Sequence, residues 1–324
     1  MTTNISMNPN LLVQYLQKDK NDFTREDIIR YCKENGIRFI NFHYCGWEGR
    51  VKTLNFVINS EEYLRSIIEA GERVDGSSLF PFIQAGKSDL YVIPRYRTAF
   101  VNPLTEEPTL DLFCTFMDRD GNPFESSPQY ILHKAHETFK QTTGMSMETM
   151  GELEYYVIAE DDGLYSVDDQ RGYHESAPFN KFTDFRMEAM RMIAQCGGLI
   201  KYGHSEVGNF TKDGKIYEQN EIEFLPTDIE DAAEQLIIAK WIMRQLAYQY
   251  GVVLTFAPKI TTGKAGSGMH VHCRLTKDSQ SMMVENGEIT DACRKAIAGF
   301  MTAGTSLPAF GNPHPLSFMR LVPH

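Results

Sequence analysis

Three short stretches of the chain each set two metal-capable side chains two residues apart: Glu152-Leu153-Glu154, Glu221-Ile222-Glu223 and His270-Val271-His272. In a β-strand, residues i and i+2 point to the same side. Leu153, Tyr155 and Val157 alternate with Glu152, Glu154 and Tyr156, so apolar neighbours can face a core while the polar pairs face a shared cleft. His204-Ser205-Glu206 adds a fourth pair of the same kind. Carboxylates with one or two imidazoles suit divalent cations such as Mg²⁺ or Mn²⁺. Such ions are the usual equipment for handling nucleotide phosphates. Taken singly, two carboxylates on a strand are commonly no more than a solvated face. Four pairs within one part of the chain are harder to read that way.

Lys264-Ala265-Gly266-Ser267-Gly268-Met269 leads directly into the histidine strand. Its glycines let backbone approach a ligand closely. It is neither a Walker loop nor a dinucleotide fingerprint, since no Gly-Lys-Ser/Thr closes it and no helix pattern follows. Asp75-Gly76-Ser77-Ser78 reads by itself as a turn. Near the end, Arg320 stands in the apolar run Phe318-Met319-Arg320-Leu321-Val322, where a guanidinium calls for a carboxylate or phosphate partner.

The elements that must position these groups are legible in outline. Thr24 and Asp27 form a capping box for a helix that should run to Gly36. Residues 37–44 and 51–58 read as strands joined by a polar turn at Trp47-Glu48-Gly49, and Ser60 caps a helix ending near Gly71. Strands at 90–93 and 110–117 lead to the turn Asp118-Arg119-Asp120-Gly121-Asn122-Pro123, where we place a domain boundary. The first part is then a small mixed sheet crossed by a helix. Beyond it, helices are expected at 128–143, at 183–195 before Gly197-Gly198, and from the Asp228 cap to Tyr250 before Gly251. A long surface loop is expected at 160–181. Strands are expected around Glu152, at 199–207, 217–225, 252–256 and 269–276, and the proline-containing end, 308–323, should be irregular.

Composition sets the bounds. The chain of 324 residues is 42% hydrophobic and 23% charged, ordinary for one large or two smaller globular domains. Its net charge of −11 and lack of a Lys/Arg cluster argue against a nucleic-acid partner. Residues 1–10 have no signal-peptide core, and no apolar run approaches a membrane span. The cysteines are scattered without a Cys-x-x-Cys pair, which fits a reducing cytoplasm better than a disulfide framework.

Taken in order, these motifs resemble the glutamine synthetase family, in particular its bacterial type I branch. Asp75-Gly76-Ser77-Ser78 resembles that family's Asp-Gly-Ser-Ser loop, and Glu152-Leu153-Glu154 its Glu-x-Glu metal strand. His204-Ser205-Glu206-Val207 and Gln219-Asn220-Glu221 resemble its next two metal segments. Gly266 to His272 resembles its glycine-loop histidine strand, and Ser317 to Pro323 its Ser-Tyr-Lys-Arg-Leu-Val-Pro segment. The resemblance implies an α+β protein: an N-terminal β-grasp domain at 23–122 and a catalytic domain at 123–324, with a curved, mainly antiparallel sheet and helices packed outside.

By position, the resemblance implies that Glu154, Glu206 and Glu221 hold one divalent ion and that Glu152 and His270 hold a second, Mg²⁺ or Mn²⁺. It implies that backbone around Ala265-Gly266 contacts the substrate amino acid and Arg320 its carboxylate. His272 and Arg274 would lie along the nucleotide. Asp75 would bind and deprotonate ammonium in a neighbouring subunit's site, which makes a homo-oligomer the expected assembly. The implied reaction is ATP-dependent ligation of ammonium to the γ-carboxylate of glutamate through γ-glutamyl phosphate. Alternatives are a γ-glutamyl ligase using another amine and a non-catalytic, synthetase-like assembly subunit.

The sequence also departs from the family pattern. Ala265 stands where the family usually has Asn, Lys201 where a nucleotide-contacting acid is common, and residues 209–215 form an extra hairpin-like segment turning at Asp213-Gly214. His324 falls inside a segment that the family continues, and that continuation carries further phosphate-contacting arginines and the last carboxylate of the second metal site. Little synthetase activity is therefore expected of this stretch alone.

Overall fold

The computed structural model describes residues 5–321. Val322 and Pro323, part of the segment likened to the family's Ser-to-Pro run, lie outside the described residues, as does His324. The chain divides into two compact units, one formed by residues 1–138 with 192–198 and the other by residues 139–191 with 199–324.

The first unit begins with α1 (Leu11–Leu16) and α2 (Arg25–Glu34), the latter opened by the expected Thr24–Asp27 capping box. A sheet follows: β1 (Phe39–Cys45), β2 (Val51–Val57), β3 (Glu72–Asp75), β4 (Asp89–Pro94), β5 (Phe100–Val101) and β6 (Thr109–Asp118). The helices α3 (Glu61–Ala70) and α4 (Gly76–Leu79) interrupt it. The strand order is β2-β1-β6-β4-β3, with β5 also on β6. β1 and β6 run parallel and the remaining pairs antiparallel, so the sheet is mixed, as the sequence suggested. Its apolar face, including Ile40, Phe42, Leu110 and Leu112, joins Ile28, Ile29, Leu64 and Ile68 of α2 and α3 in one core. A polar row also runs inside this sheet. Asn55 of β2 donates to Asn41 of β1 (2.7 Å), and Asn41 donates to Asp111 of β6 (2.8 Å).

After α5 (Pro128–Thr143) comes the long strand β7 (Ser146–Glu160), then α6 (Thr183–Gln195), β8 (Ile200–Lys212), β9 (Lys215–Phe224) and the short β10 (Thr227–Asp228). The β8–β9 hairpin turns at Asp213 and Gly214, both at positive φ, as the Asp-Gly pair predicted. α7 (Ile229–Tyr250) is capped by Asp228 and ends at left-handed Gly251. β11 (Val253–Thr255), β12 (Met269–Lys277) and β13 (Gln280–Ser281) complete the second sheet, ordered β13-β12-β7-β9-β8 with β10 and β11 also on β7. All its pairings are antiparallel.

Leu153, Tyr155 and Val157 are buried on one side of β7, which packs against α7. Gly151 continues that side: a Cβ there would lie 3.1 Å from Leu236 of α7, so glycine lets the helix come close. Glu152 and Glu154 fall on the opposite side by strict alternation. Among the described residues no helix is long and apolar enough to cross a membrane.

The C-terminal part departs from expectation. A small hairpin, β14 (Val284–Glu285) with β15 (Glu288–Ile289), precedes α8 (Asp291–Thr302), which the sequence reading passed over although Thr290 caps it. The stretch expected to be irregular contains two short helices, α9 (Leu307–Gly311) and α10 (Leu316–Arg320). Proline does not forbid them, because Pro308 lies in the first turn of α9 and Pro315 at the N-cap of α10, where no intrahelical N–H bond is lost.

Candidate active site on the second sheet

Strand register sets the predicted side chains in two rows across the second sheet. In one row His270 of β12 is opposite Glu152 of β7, which is opposite Glu223 of β9, which is opposite Tyr202 of β8. In the next, Glu154 of β7 is opposite Glu221 of β9, which is opposite His204 of β8. Glu206 joins the second row through an irregularity in β8, whose register against β9 shifts between Ser205 and Asn209. Such a bulge re-aims side chains that strict alternation would turn away.

The two rows differ in how their charges are met. Glu152 spans both imidazoles, with His270 Nδ1 and His272 Nε2 each 2.8 Å from one of its oxygens. Glu223 is claimed by Lys201, 2.6 Å away, and its carboxyl is held below the usual range chiefly by Lys201 and Tyr202 against the cost of burial. The register shift between Ile200 and Tyr202 lets both Lys201 and Tyr202 oppose it. Glu223, included in the initial strand-face pairing, is thus occupied by an ion pair.

Glu221 is the opposite case. It is only 7% exposed, and its neighbours are other carboxylates and an imidazole rather than an ammonium or guanidinium. His204 Nε2 stands 3.6 Å from it, and His204 Nδ1 stands 3.7 Å from Glu206. Burial first, and then the charges of Glu154, Glu206 and Glu152, push the Glu221 carboxyl up to about 8. Glu154 is raised as well, by burial first and then by Glu206, with the Gly268 amide, His270 and Arg320 opposing.

Ligand atoms of His204, Glu206 and Glu221 lie within 4.8 Å of one another. A Cβ at Gly268 would sit 3.0 Å from both Glu154 Oε1 and His270 Nε2, so glycine keeps the space between those groups open. Carboxylates crowded together in a partly buried place and an open space between two ligand atoms fit divalent cations. His204 enters this cluster although the predicted ligand set did not include it.

The glycine-rich loop lies against the same strands. Ala265 O accepts from Tyr156 Oη (2.9 Å), Gly266 O from Gln219 Nε2 (2.9 Å) and Ser267 O from Arg320 Nη1 (3.0 Å). Lys264 O accepts from the buried Lys259 ammonium, and Ala265 N–H donates to Gln170 of the 160–181 loop (2.7 Å). Arg320 also donates to Asn312 (3.2 Å). The predicted substrate residues Ala265, Gly266 and Arg320 are thus brought together with Glu154. Tyr156, Gln170, Gln219 and Lys259 were missed. Gln219 and Tyr156 carried a usable signal, since each stands two residues from a selected carboxylate on the same strand.

Arg274, at the far end of β12, is paired with Glu148 (2.7 Å from Arg274 Nε). His270 and His272 are largely exposed, 65% and 61% by side chain. Asp75 belongs to the first unit. Its carboxylate caps α4 and accepts from Ser77 N (3.1 Å), Ser77 Oγ (2.8 Å) and Ser78 Oγ (2.6 Å). The Ser78 and Ser77 hydroxyls are the main reason its carboxyl lies at about 2.

A mixed-sheet unit followed by an antiparallel sheet bearing ranked carboxylates and imidazoles defines the class: a two-part α+β protein with a cation-ready sheet face. The comparison with known families makes this specific. Residues 36–119 match the glutamine synthetase β-grasp domain and residues 125–324 the glutamine synthetase catalytic domain, so the chain belongs to the glutamine synthetase family. A glutamine synthetase of Clostridium saccharobutylicum is 28% identical over 309 residues, covering 93% of this chain and 67% of that protein. A 3-hydroxylaminophenol mutase of Cupriavidus pinatubonensis is 27% identical over 334 residues, covering 92% of this chain and 68% of that protein. The solved Plasmodium falciparum glutamine synthetase superposes with a TM-score of 0.82 at 18% identity, over 92% of this chain and 63% of that one. The chain therefore spans about two thirds of the length of the relatives it matches.

Proposed function

We propose that this chain belongs to an ATP-dependent ligase that joins ammonium to the γ-carboxylate of glutamate through γ-glutamyl phosphate, releasing glutamine, ADP and phosphate. The observation that carries this reading is the second-sheet face, where Glu154, Glu206 and Glu221 crowd together with His204 beside a loop held by Arg320. In this reading Glu154, Glu206 and Glu221, with His204 beside them, hold one Mg²⁺ or Mn²⁺, and Glu152 with His270 holds another. Bound cations neutralise phosphate charge during phosphoryl transfer. Arg320 and the Ala265-Gly266 backbone orient the amino acid, and His272 and Arg274 lie along the nucleotide. Asp75, kept anionic by Ser77 and Ser78, attracts ammonium and takes its proton, reaching the site of a second copy in a homo-oligomer. The working division is a β-grasp domain at 23–122 and a catalytic domain at 123–324, acting in the cytoplasm.

A specific observation favours another amine as acceptor. Tyr173, His174 and Tyr202 crowd their rings around His204, and Tyr173 and Tyr202 remain 56% and 46% exposed. Aromatic faces suit organic ammonium groups. The test is a coupled ADP-release assay with glutamate, ATP and Mg²⁺, supplied with ammonium or a panel of primary amines. It is run on these 324 residues and on the longest product of the gene. Ammonium-dependent release that Asp75→Asn lowers without changing nucleotide affinity supports the main reading. Release only with organic amines supports the second, and cation and nucleotide binding without release in either polypeptide supports a non-catalytic assembly subunit.

A further inference from the structure

Gln219 lies on β9 two residues before Glu221 and is 1% exposed. Every polar atom of its amide is used. Its Oε1 accepts from Gly208 N–H (3.1 Å), in the β8 irregularity that carries Glu206. Its Nε2 donates to Glu154 Oε2 (2.9 Å) and to Gly266 O (2.9 Å), with Ser267 Oγ farther away at 3.4 Å. The opposite amide orientation would set its oxygen against two acceptors and its NH₂ against a donor, so the network itself chooses this one. One buried side chain therefore touches the strand irregularity behind Glu206, the carboxylate of Glu154 and the carbonyl of Gly266.

The surroundings leave this amide little freedom. A Cβ on Gly208 would fall 2.6 Å from Gln219 Oε1 and 2.0 Å from Tyr156 Oη, so a bare backbone is needed where Gln219 meets the β8 irregularity. On the other side the glycine-rich loop is held carbonyl by carbonyl: Lys259 on Lys264, Tyr156 on Ala265, Gln219 on Gly266, Arg320 on Ser267 and the Glu154 amide on Gly268 (3.4 Å). Of the side chains in that series, Gln219 alone also bonds a carboxylate of the acidic cluster.

We propose that Gln219 is a positioning residue that couples cation binding at the acidic cluster to the order of the loop at 264–268. Without a cation, Gln219 already holds Glu154 Oε2, but the cluster of Glu154, Glu206 and Glu221 sets acceptor against acceptor, which loosens that hold. A cation draws the carboxylates together and fixes Glu154 Oε2 and the strand irregularity behind Glu206. Both bear on the Gln219 amide, whose remaining N–H then holds Gly266 O in one place. Because the coupling is a free energy between two sites, a ligand seated on the loop strengthens cation binding in return. The coupling itself needs no assumption about the reaction; that the loop receives an amino acid rests on the function proposed above.

The test is hydrogen exchange of the whole chain with and without saturating Mg²⁺, read on peptides covering residues 260–269. In the wild type Mg²⁺ should slow exchange there by about fivefold or more. Gln219→Met keeps the volume but removes the donor and acceptor. It should still bind Mg²⁺ by calorimetry, and the Mg²⁺-dependent slowing should disappear while the thermal midpoint without metal stays within a few degrees. Tyr156→Phe removes a loop bond that does not touch the cluster, so it should speed exchange in both states and leave the Mg²⁺-dependent ratio intact. Full retention of the ratio in Gln219→Met, or equal loss in both variants, overturns the proposal. If Gln219→Met does not fold, the Tyr156→Phe ratio still decides: its loss means that the loop is stabilised generally and not through Gln219. None of these readouts needs glutamate, so failure of the ligase reading leaves the test intact. Glutamate titrations with and without Mg²⁺ then test that reading separately.

Discussion

Each compact unit sets a polar row across three strands, and the two rows are built on opposite rules. In the first unit the row is a relay of donors ending on an acceptor. Asn55 donates to Asn41, Asn41 to Asp111 Oδ1, and Asn102 to Asp111 Oδ2 (2.7 Å), with His43 Nε2 also 2.7 Å from Oδ2. Asp111 is 0% exposed and lacks nothing. In the second unit the row sets acceptor against acceptor, Glu154 beside Glu221 with Glu206 completing the cluster. Asp111 at 0% and Glu221 at 7% exposure are both buried, but their partners differ in kind. A buried carboxylate with a full set of donors is architecture, whereas one crowded by other carboxylates carries an electrostatic cost that the substitutions below can measure.

The largest expected effect breaks the completed row. Asp111→Ala leaves several buried donors without an acceptor, and unfolding should become easier by about 3–5 kcal/mol. Denaturant titration checks this, and a loss below about 1 kcal/mol would mean that the row is dispensable. The matching substitution in the other row should have the opposite sign in the metal-free protein. Glu221→Gln removes a carboxyl whose charged form burial and its neighbours disfavour, so the midpoint without cation should hold near neutral pH and rise above about pH 8, while Mg²⁺ or Mn²⁺ affinity falls by about tenfold or more, as for an altered metal shell. Calorimetry alongside thermal melts tests both halves, and a destabilised, normally binding variant would erase the contrast.

The contrast can be sharpened with pH. The Glu221 carboxyl stands at about 8 in the folded chain, above its usual value of 4.5. A raised acid contributes stability that is fully present below the unfolded value and is lost as pH rises through the folded one. The metal-free chain should therefore lose stability between about pH 4.5 and 8, and cation affinity should rise across the same window because binding displaces a proton. Saturating Mg²⁺ or Glu221→Gln should flatten the stability profile. A metal-free profile that climbs instead would show that the cluster is already neutralised.

The smallest effect is reserved for Glu223. Its partner Lys201 is 40% exposed, and such pairs are worth about 0–1 kcal/mol. Glu223→Gln should change cation affinity by no more than about twofold, well below the loss from Glu154→Gln, which removes a proposed ligand. Equal losses in both would place Glu223 in the cation site.

Much of this arrangement could be read before the fold was seen, because a strand's period of two is written directly into Glu152-Leu153-Glu154 and His270-Val271-His272. The same holds for the caps: Thr24, Ser60 and Asp228 stand where helices begin, and Gly251 where one stops. What stayed hidden depends on register and on contacts across strands. The spacing of Gln219 from Glu221 places it on the same strand face, but nothing near it in sequence announces that Gly208, Glu154 and Gly266 meet it. The approach of His204 to both Glu206 and Glu221 depends on the β8 irregularity, which alternation alone does not predict. In α9 and α10, the position of proline within the turn outweighed its general tendency to break helices. The metal, substrate and nucleotide roles rest on resemblance as well as geometry, and the substitutions above separate the two.

One feature of β12 bears on how the protein can be handled. From Met269 to Cys273 it pairs with β7 on one side, whereas β13 meets it only at Thr276 and Lys277. Among the described residues its other edge there has no strand partner, and Val271 is 53% exposed. An unpaired edge with an apolar side chain invites another chain to add itself. The histidines to which the proposed function assigns metal and nucleotide thus stand on a template for self-association. Concentrated, metal-free stocks should drift toward larger particles over storage, and dilute stocks should remain clear longer.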